Sequence, residues 1–209
     1  MSTGHEQRPF AAVVLAAGRG QRMGRNKATL PWGPQTLLEA WVRRFVDQGA
    51  ASVAVVLGAD GALVQEQVDP GLPIAWATNE DVDGSGPRES LLLGLDALPA
   101  DLPAFFTPVD VPVVAADTLR RMLEAWRGAD EEPMALLPRI GDRTGHPVLA
   151  CPALVQRLYE GERGDRIDEL LAWSRRVLHV DVDDERVLAN MNDPAQYANW
   201  APTGGWEPS

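Results

Sequence analysis

Along the first half of the chain, short apolar runs alternate with longer stretches of helical spacing. The runs at 11–17, 52–57, 74–77 and 104–109 are bounded by Gly, Pro or Asp, which is the pattern of buried strands. Between the first two, residues 36–48 put Leu37, Leu38, Trp41, Val42 and Phe45 on one helical face. Thr36 and Glu39 are spaced as a capping box, and Gly49 is the stop. Residues 89–98 and 117–126 predict two further helices. Strand and helix in alternation call for right-handed crossovers, and so for a mainly parallel sheet.

The second half is less regular. Residues 134–140 and 147–150 predict strands joined by a polar turn at 141–146, an antiparallel excursion at the sheet edge. Residues 152–159 and 167–173 predict helices and 177–182 a last strand, while an Asn/Asp turn leading into Pro194 and a last helix is the plain alternative to a functional motif at 190–194. The expected architecture is a single α/β domain over 10–200 with a mixed, mainly parallel sheet. Flexible tails are expected at 1–9 and 201–209.

Composition narrows the setting. With 209 residues, 45% of them hydrophobic, the chain can bury one large core. The single cysteine, Cys151, excludes an internal disulfide and a zinc ribbon, and suits a reducing compartment. No signal-peptide pattern opens the chain and no apolar run is long enough to span a bilayer, so a cytoplasmic location without a membrane partner is expected. A formal charge of -11 argues against nucleic acid, which would be repelled. Yet the stretch from Gln7 to Leu38 holds no Asp or Glu, where an even spread would put about four or five. It holds Arg8, Arg19, Arg22, Arg25 and Lys27, the only lysine in the chain. A local positive pocket in an acidic protein suits a small polyanion, with phosphate the obvious candidate.

Gly18, Gly20 and Gly24 follow the first strand, where ligands bind in open α/β sheets. Glycine lets backbone N–H groups approach an anion, Arg22 offers a planar fork for phosphate oxygens, and Lys27 supplies a compact mobile charge. A Walker loop would need Gly-Lys-Ser/Thr, but Gly24 is followed by Arg25, Asn26, Lys27 and Ala28. A dinucleotide fingerprint fails too, because the glycine spacing is one residue too long and Gly58 stands where a ribose-binding acid belongs. A surface loop of merely solvated arginines is the plain alternative.

The run Leu15-Ala16-Ala17-Gly18-Arg19-Gly20-Gln21-Arg22-Met23-Gly24-Arg25-Asn26-Lys27 resembles the signature of the MobA-like nucleotidyltransferases, and further matches extend from about Ala11 to Tyr197. This family includes the molybdenum cofactor cytidylyl- and guanylyltransferases. The resemblance implies a Rossmann-like domain that uses a nucleoside triphosphate and Mg²⁺ and releases pyrophosphate. By position it gives Arg22 and Lys27 a catalytic role on the triphosphate, and Leu15, Ala16, Ala17, Gly18, Arg19, Gly20 and Lys27 a role in nucleotide binding. Asp110, delivered by an apolar strand just before Val111-Pro112, matches the metal-binding Asp. Asn192, in Asn190-Met191-Asn192-Asp193-Pro194, matches a second metal position in its amide form, while Asp193 replaces the usual Thr and its part in metal binding is open. A few oxygen ligands suffice for Mg²⁺, since water and phosphate complete its octahedron.

For the base, the family uses the connection near Thr78-Asn79-Glu80 and Gly84 to Ser90, with Asn79, Gly86 and Ser90 as candidates. Ordinary helix-capping turn chemistry is the alternative there. Ala16-Ala17-Gly18 resembles the cytidylyl branch, so CTP is the expected donor, with the Ala17 methyl narrowing the pocket against a purine. Gly145-His146-Pro147 resembles a segment near the acceptor, which makes His146 and Arg139 candidates for binding an anionic phosphorylated acceptor, with molybdopterin a candidate acceptor. A sugar-phosphate nucleotidyltransferase or a guanylyltransferase shares the same loop chemistry. A nucleotide sensor without turnover is the rival outside enzymes.

Overall fold

Both faces of the first strand are covered, and that decides the layering. In the computed structural model, which describes residues 8–18, 25–59, 61–82, 84–99, 101–161, 167–172, 174 and 176–202, β1 (Ala11–Ala16) is buried almost throughout. A small hairpin, β2 (Pro31–Trp32) and β3 (Gln35–Thr36), follows it, and the remaining strands are β4 (Ser52–Leu57), β5 (Ile74–Thr78), β6 (Ala104–Pro108), β7 (Ala135–Ile140), β8 (Arg143–Thr144), β9 (Val148–Ala150) and β10 (Val177–Asp181). Across the main sheet the order is β5-β4-β1-β6-β9-β7-β10, with β8 paired to β7. β5, β4, β1 and β6 run parallel, as strand–helix alternation requires.

Period-two alternation splits the core between the two faces. Phe105 joins Phe10, Trp41, Phe45, Trp126 and Tyr197 on one side, whereas Phe106 joins Val13, Val56, Leu91, Leu154 and Leu158 on the other. The first face is covered by α1 (Leu37–Asp47), α4 (Ala116–Arg127) and α7 (Pro194–Trp200), with the short α2 (Gly61–Gln65) at its margin. The second is covered by α3 (Pro87–Asp96), α5 (Pro152–Glu160) and α6 (Ile167–Ala172). The Thr36/Glu39 capping box of α1 forms as the sequence predicts. α3 begins earlier than expected because Pro87, lacking an N–H, fits its first turn. No helix among the described residues is long and apolar enough to cross a membrane.

The antiparallel excursion is not at the edge. β9 inserts between β6 and β7, antiparallel to both, and the true edge on this side is β10, parallel to β7. All three β9 residues are buried, which an edge position would not allow. The tails expected at 1–9 and 201–209 lie mostly outside the described residues. Within them, Arg8 is fastened by an ion pair to Glu132 at 2.8 Å and by its guanidinium over the Trp126 ring.

Asp184, just after β10, joins that edge to α4. Its nearly buried carboxylate accepts from Ala115 N (2.7 Å), Thr118 Oγ1 (2.9 Å) and Arg186 Nε (2.6 Å), so it caps a helix that has no cap of its own. Burial pushes its pKa up, but the hydrogen bonds from Ala115 and Arg186 outweigh this and hold it below the ordinary value. A carboxyl with a depressed folded-state pKa stabilises fully above its unfolded pKa, about 4, and loses that contribution as pH falls through the folded value. Asp184→Ala is therefore expected to lower stability at pH 7 by about 1.5–3 kcal/mol. It should also flatten the loss of stability below about pH 4, as read from urea unfolding across pH.

Candidate active site

The carboxyl ends of β1 and β6 converge on one cluster of polar side chains. Past the end of β6, Val109 N still donates to Leu15 O (2.9 Å), and a turn over Val109 and Asp110 is closed by Val111 N donating to Pro108 O (3.3 Å). That turn is pinned from behind, where Trp41 Nε1 donates to Val111 O at 2.9 Å. From the far end of the sequence, Met191 N donates to Asp110 O at 2.7 Å and brings Asn192 alongside. α7 anchors this segment through the buried Tyr197, whose hydroxyl donates to Pro31 O. Asp193 is the N-cap of α7, accepting from Gln196 N at 2.8 Å.

Lys27 reaches the same point. It opens a single 3-10 turn, Lys27–Thr29, capped by Asn26, whose Oδ1 accepts from Ala28 N at 3.0 Å. Its Nζ lies 2.8 Å from Asp110 Oδ2 and 2.8 Å from Asn192 Oδ1, with 15% of the Lys27 side chain and 24% of the Asp110 side chain exposed. Residues separated by up to 165 positions thus meet at one ammonium. A carboxylate oxygen and an amide oxygen aimed at one cation form a hard donor pair, so the residues present fit Mg²⁺ or Mn²⁺ as ligands. Among the described residues no group of three or more His, Cys, Asp or Glu could hold a metal. A metal here would rely on water and phosphate for its remaining ligands.

Beside this cluster opens a cavity of about 570 Å³, within the range of small-molecule sites. Leu15, Gly86 and Pro108 are among its lining residues, and its polar groups include Thr144, His146, Asp168 and Asn190. No lysine or arginine lines it among the described residues. His146 is placed by its neighbours: residues 145–147 leave the ladder between the β8 and β9 pairings, and His146 N donates to Val187 O at 2.9 Å. Gly145 is required there, because a Cβ would come within 1.8 Å of Val187 O. Burial lowers the His146 pKa against the opposing pull of the Phe106 backbone and the Asp110 charge, leaving the ring neutral at pH 7. Arg139 does not line the cavity: on the neighbouring edge its guanidinium holds Asp181 at 2.8 and 3.1 Å.

On the nucleotide side, Asn79 is buried and both of its amide donors are engaged. Nδ2 donates to Ser85 Oγ (2.9 Å) and Ser90 Oγ (2.8 Å), and Oδ1 accepts from Asp81 N (3.0 Å). Gly86 N donates to Glu89 Oε2 at 2.8 Å. Asn79 and Ser90 therefore shape the 79–90 connection from within, while Gly86 lies at the cavity wall. Ala17 and Gly18 border a narrow recess with Gly58, Glu80 and Val82, and Gly58 lets the two strand ends approach, since a Cβ there would sit 2.7 Å from Ala17 O. Ala16 is buried in β1. Arg19, Gly20 and Arg22 lie outside the described residues. Sequence reasoning did not anticipate Thr144, Asp168 and Asn190 in the cavity; only the nearness of Thr144 and Asn190 to two recognised motifs hinted at them.

Residues 12–180 match the model of the MobA-like NTP transferase domain. The chain belongs to that family. A Mycobacterium tuberculosis H37Rv protein named probable molybdenum cofactor guanylyltransferase is 32% identical to it over 202 residues, covering 90% of each chain. Among solved structures, a nucleotidyl transferase from Methanothermobacter superposes with a TM-score of 0.76 at 27% identity, covering 91% of this chain and 95% of that one. A structure of an M. tuberculosis H37Rv protein in complex with manganese gives a TM-score of 0.66 at 24% identity over 83% of this chain and 88% of that one. This MobA-like protein is accordingly a nucleotidyltransferase. Lys27, Asp110 and His146 fall inside the matched span, whereas Asn192 lies beyond it and joins the site through the fold.

Proposed function

We propose that this enzyme transfers a nucleotidyl group from a nucleoside triphosphate to a phosphorylated small molecule, with molybdopterin the favoured acceptor. The observation that carries the reading is the convergence of Lys27, Asp110 and Asn192 beside a cavity lined by their chain neighbours Pro108 and Asn190. In the reaction an acceptor phosphate oxygen forms a bond to the α-phosphorus, the bond from that phosphorus to the bridging oxygen breaks, and pyrophosphate leaves with the electron pair. A phosphomonoester is largely dianionic at pH 7, so the chain need supply neither a base nor a covalent nucleophile. Lys27 stabilises the charge gathering on the phosphates, helped by Arg22 and the N–H groups of the glycine loop around Gly18 and Gly20. Arg19 and Leu15 complete the nucleotide side. Asp110 and Asn192 would hold Mg²⁺, which when bound supplies Lewis-acid neutralisation of the triphosphate. The manganese in a structural neighbour supports this assignment.

The acceptor body fits the cavity, where a neutral His146 can exchange a single hydrogen bond with it. Arg139 reaches an acceptor only if it releases Asp181. A sparsely charged cavity suits a largely uncharged ring system whose phosphate points back toward Lys27.

The donor base divides the reading. The guanylyltransferase name of the M. tuberculosis relative favours GTP, and we take GTP as the donor. The Ala17 methyl favours the CTP expected from sequence, because a clash can discriminate sharply against a purine. Competition between GTP and CTP, followed by pyrophosphate release, decides. GTP is expected to win in the unmodified protein, and Ala17→Gly to change the ratio little. If CTP wins and Ala17→Gly shifts use toward GTP about tenfold or more, the cytidylyl reading replaces it.

A further inference from the structure

Lys27 Nζ occupies the space toward which both proposed metal ligands point. At 2.8 Å from each oxygen it makes charge-assisted hydrogen bonds to both. A divalent ion using the same oxygens must approach to about 2.0–2.1 Å for Mg²⁺, and a site with 15% of the lysine side chain exposed screens the repulsion between two cations poorly. The ammonium and the metal cannot both sit on this pair. Among the described residues, the oxygens nearest to Nζ are these two, so Lys27 needs a new anion when it leaves.

Building on the reading of Asp110 and Asn192 as metal ligands, we propose that Lys27 is the resident counter-ion that closes this pair to free metal, and that it yields the oxygens only when a triphosphate offers its own. The lysine then has two stations: on Asp110 and Asn192 in the empty enzyme, and on the phosphates in the loaded one. Metal binding and nucleotide binding become coupled, each strengthening the other by the same factor. Loss of Lys27 removes the competitor and the coupling together.

The test measures binding of Mn²⁺ alone, by the free-ion electron paramagnetic resonance signal, to the full chain at pH 7. Lys27→Met is expected to bind Mn²⁺ roughly 10- to 100-fold more tightly than the unmodified protein, the range of typical site-to-site coupling. Lys27→Gln serves as a second uncharged variant, Lys27→Arg should stay closed, and Asp110→Asn added to Lys27→Met should erase the gain. With a nucleoside triphosphate analogue that cannot release pyrophosphate, the unmodified protein should gain Mn²⁺ affinity and Lys27→Met should gain much less. Affinity for Mn²⁺ unchanged in both Lys27→Met and Lys27→Gln overturns the exchange while Asp110-dependent binding keeps the metal assignment. A gain that survives Asp110→Asn overturns it as a diffuse charge effect. No Asp110-dependent binding in any variant, with or without the analogue, removes the metal assignment as well.

Discussion

Lys27→Ala is expected to lower turnover by about 10² or more, the effect of losing a preorganised charge beside the reacting phosphate. The chain has no second lysine to take over. Lys27→Arg should rescue poorly, because a planar guanidinium cannot reproduce the contacts of a compact, mobile ammonium with the triphosphate. Steady-state pyrophosphate release gives both values. Full activity in both variants would remove Lys27 from the chemistry.

The other large effect belongs to Asp110. Asp110→Asn is expected to abolish metal-dependent turnover at ordinary Mg²⁺, since it leaves two neutral amides where the proposed site has one carboxylate. Asn192→Asp acts in the opposite sense and should preserve or tighten metal binding by adding a second negative oxygen. Activity titrated against Mg²⁺ separates the two. Retained activity in Asp110→Asn at low Mg²⁺ would count decisively against the metal assignment.

The meeting of Lys27 and Asp110 at one sheet end was readable in the sequence because each sits in a local pattern: an apolar strand ending in a glycine loop with a lone lysine, and an apolar strand ending in Asp before Val111-Pro112. Strands β1, β4, β5 and β6 and helix α1 were readable for the same reason, their periodicity being local. What escaped depended on partners distant in sequence. The placing of β9 inside the sheet follows from pairing with β6, more than forty residues earlier in the chain, and no spacing rule announces it. α2 is a five-residue helix, too short to display a period. Arg139, expected to bind an anionic acceptor, is set against Asp181 by the β7–β10 register, a pairing distant in sequence. Asn79, a candidate on the nucleotide side, has both amide donors held by Ser85 and Ser90 and its oxygen accepting from Asp81, partners that no local spacing announces.

The most direct test of nucleotidyl transfer at the Lys27–Asp110–Asn192 cluster is pyrophosphate release from GTP and from CTP by the purified full chain, with Mg²⁺ and with or without molybdopterin. Release that requires the acceptor, and that disappears in Asp110→Asn, is the predicted result. Tight triphosphate binding by thermal shift with no acceptor-dependent pyrophosphate from either nucleotide would contradict it, and would make the protein a nucleotide sensor built on a transferase fold.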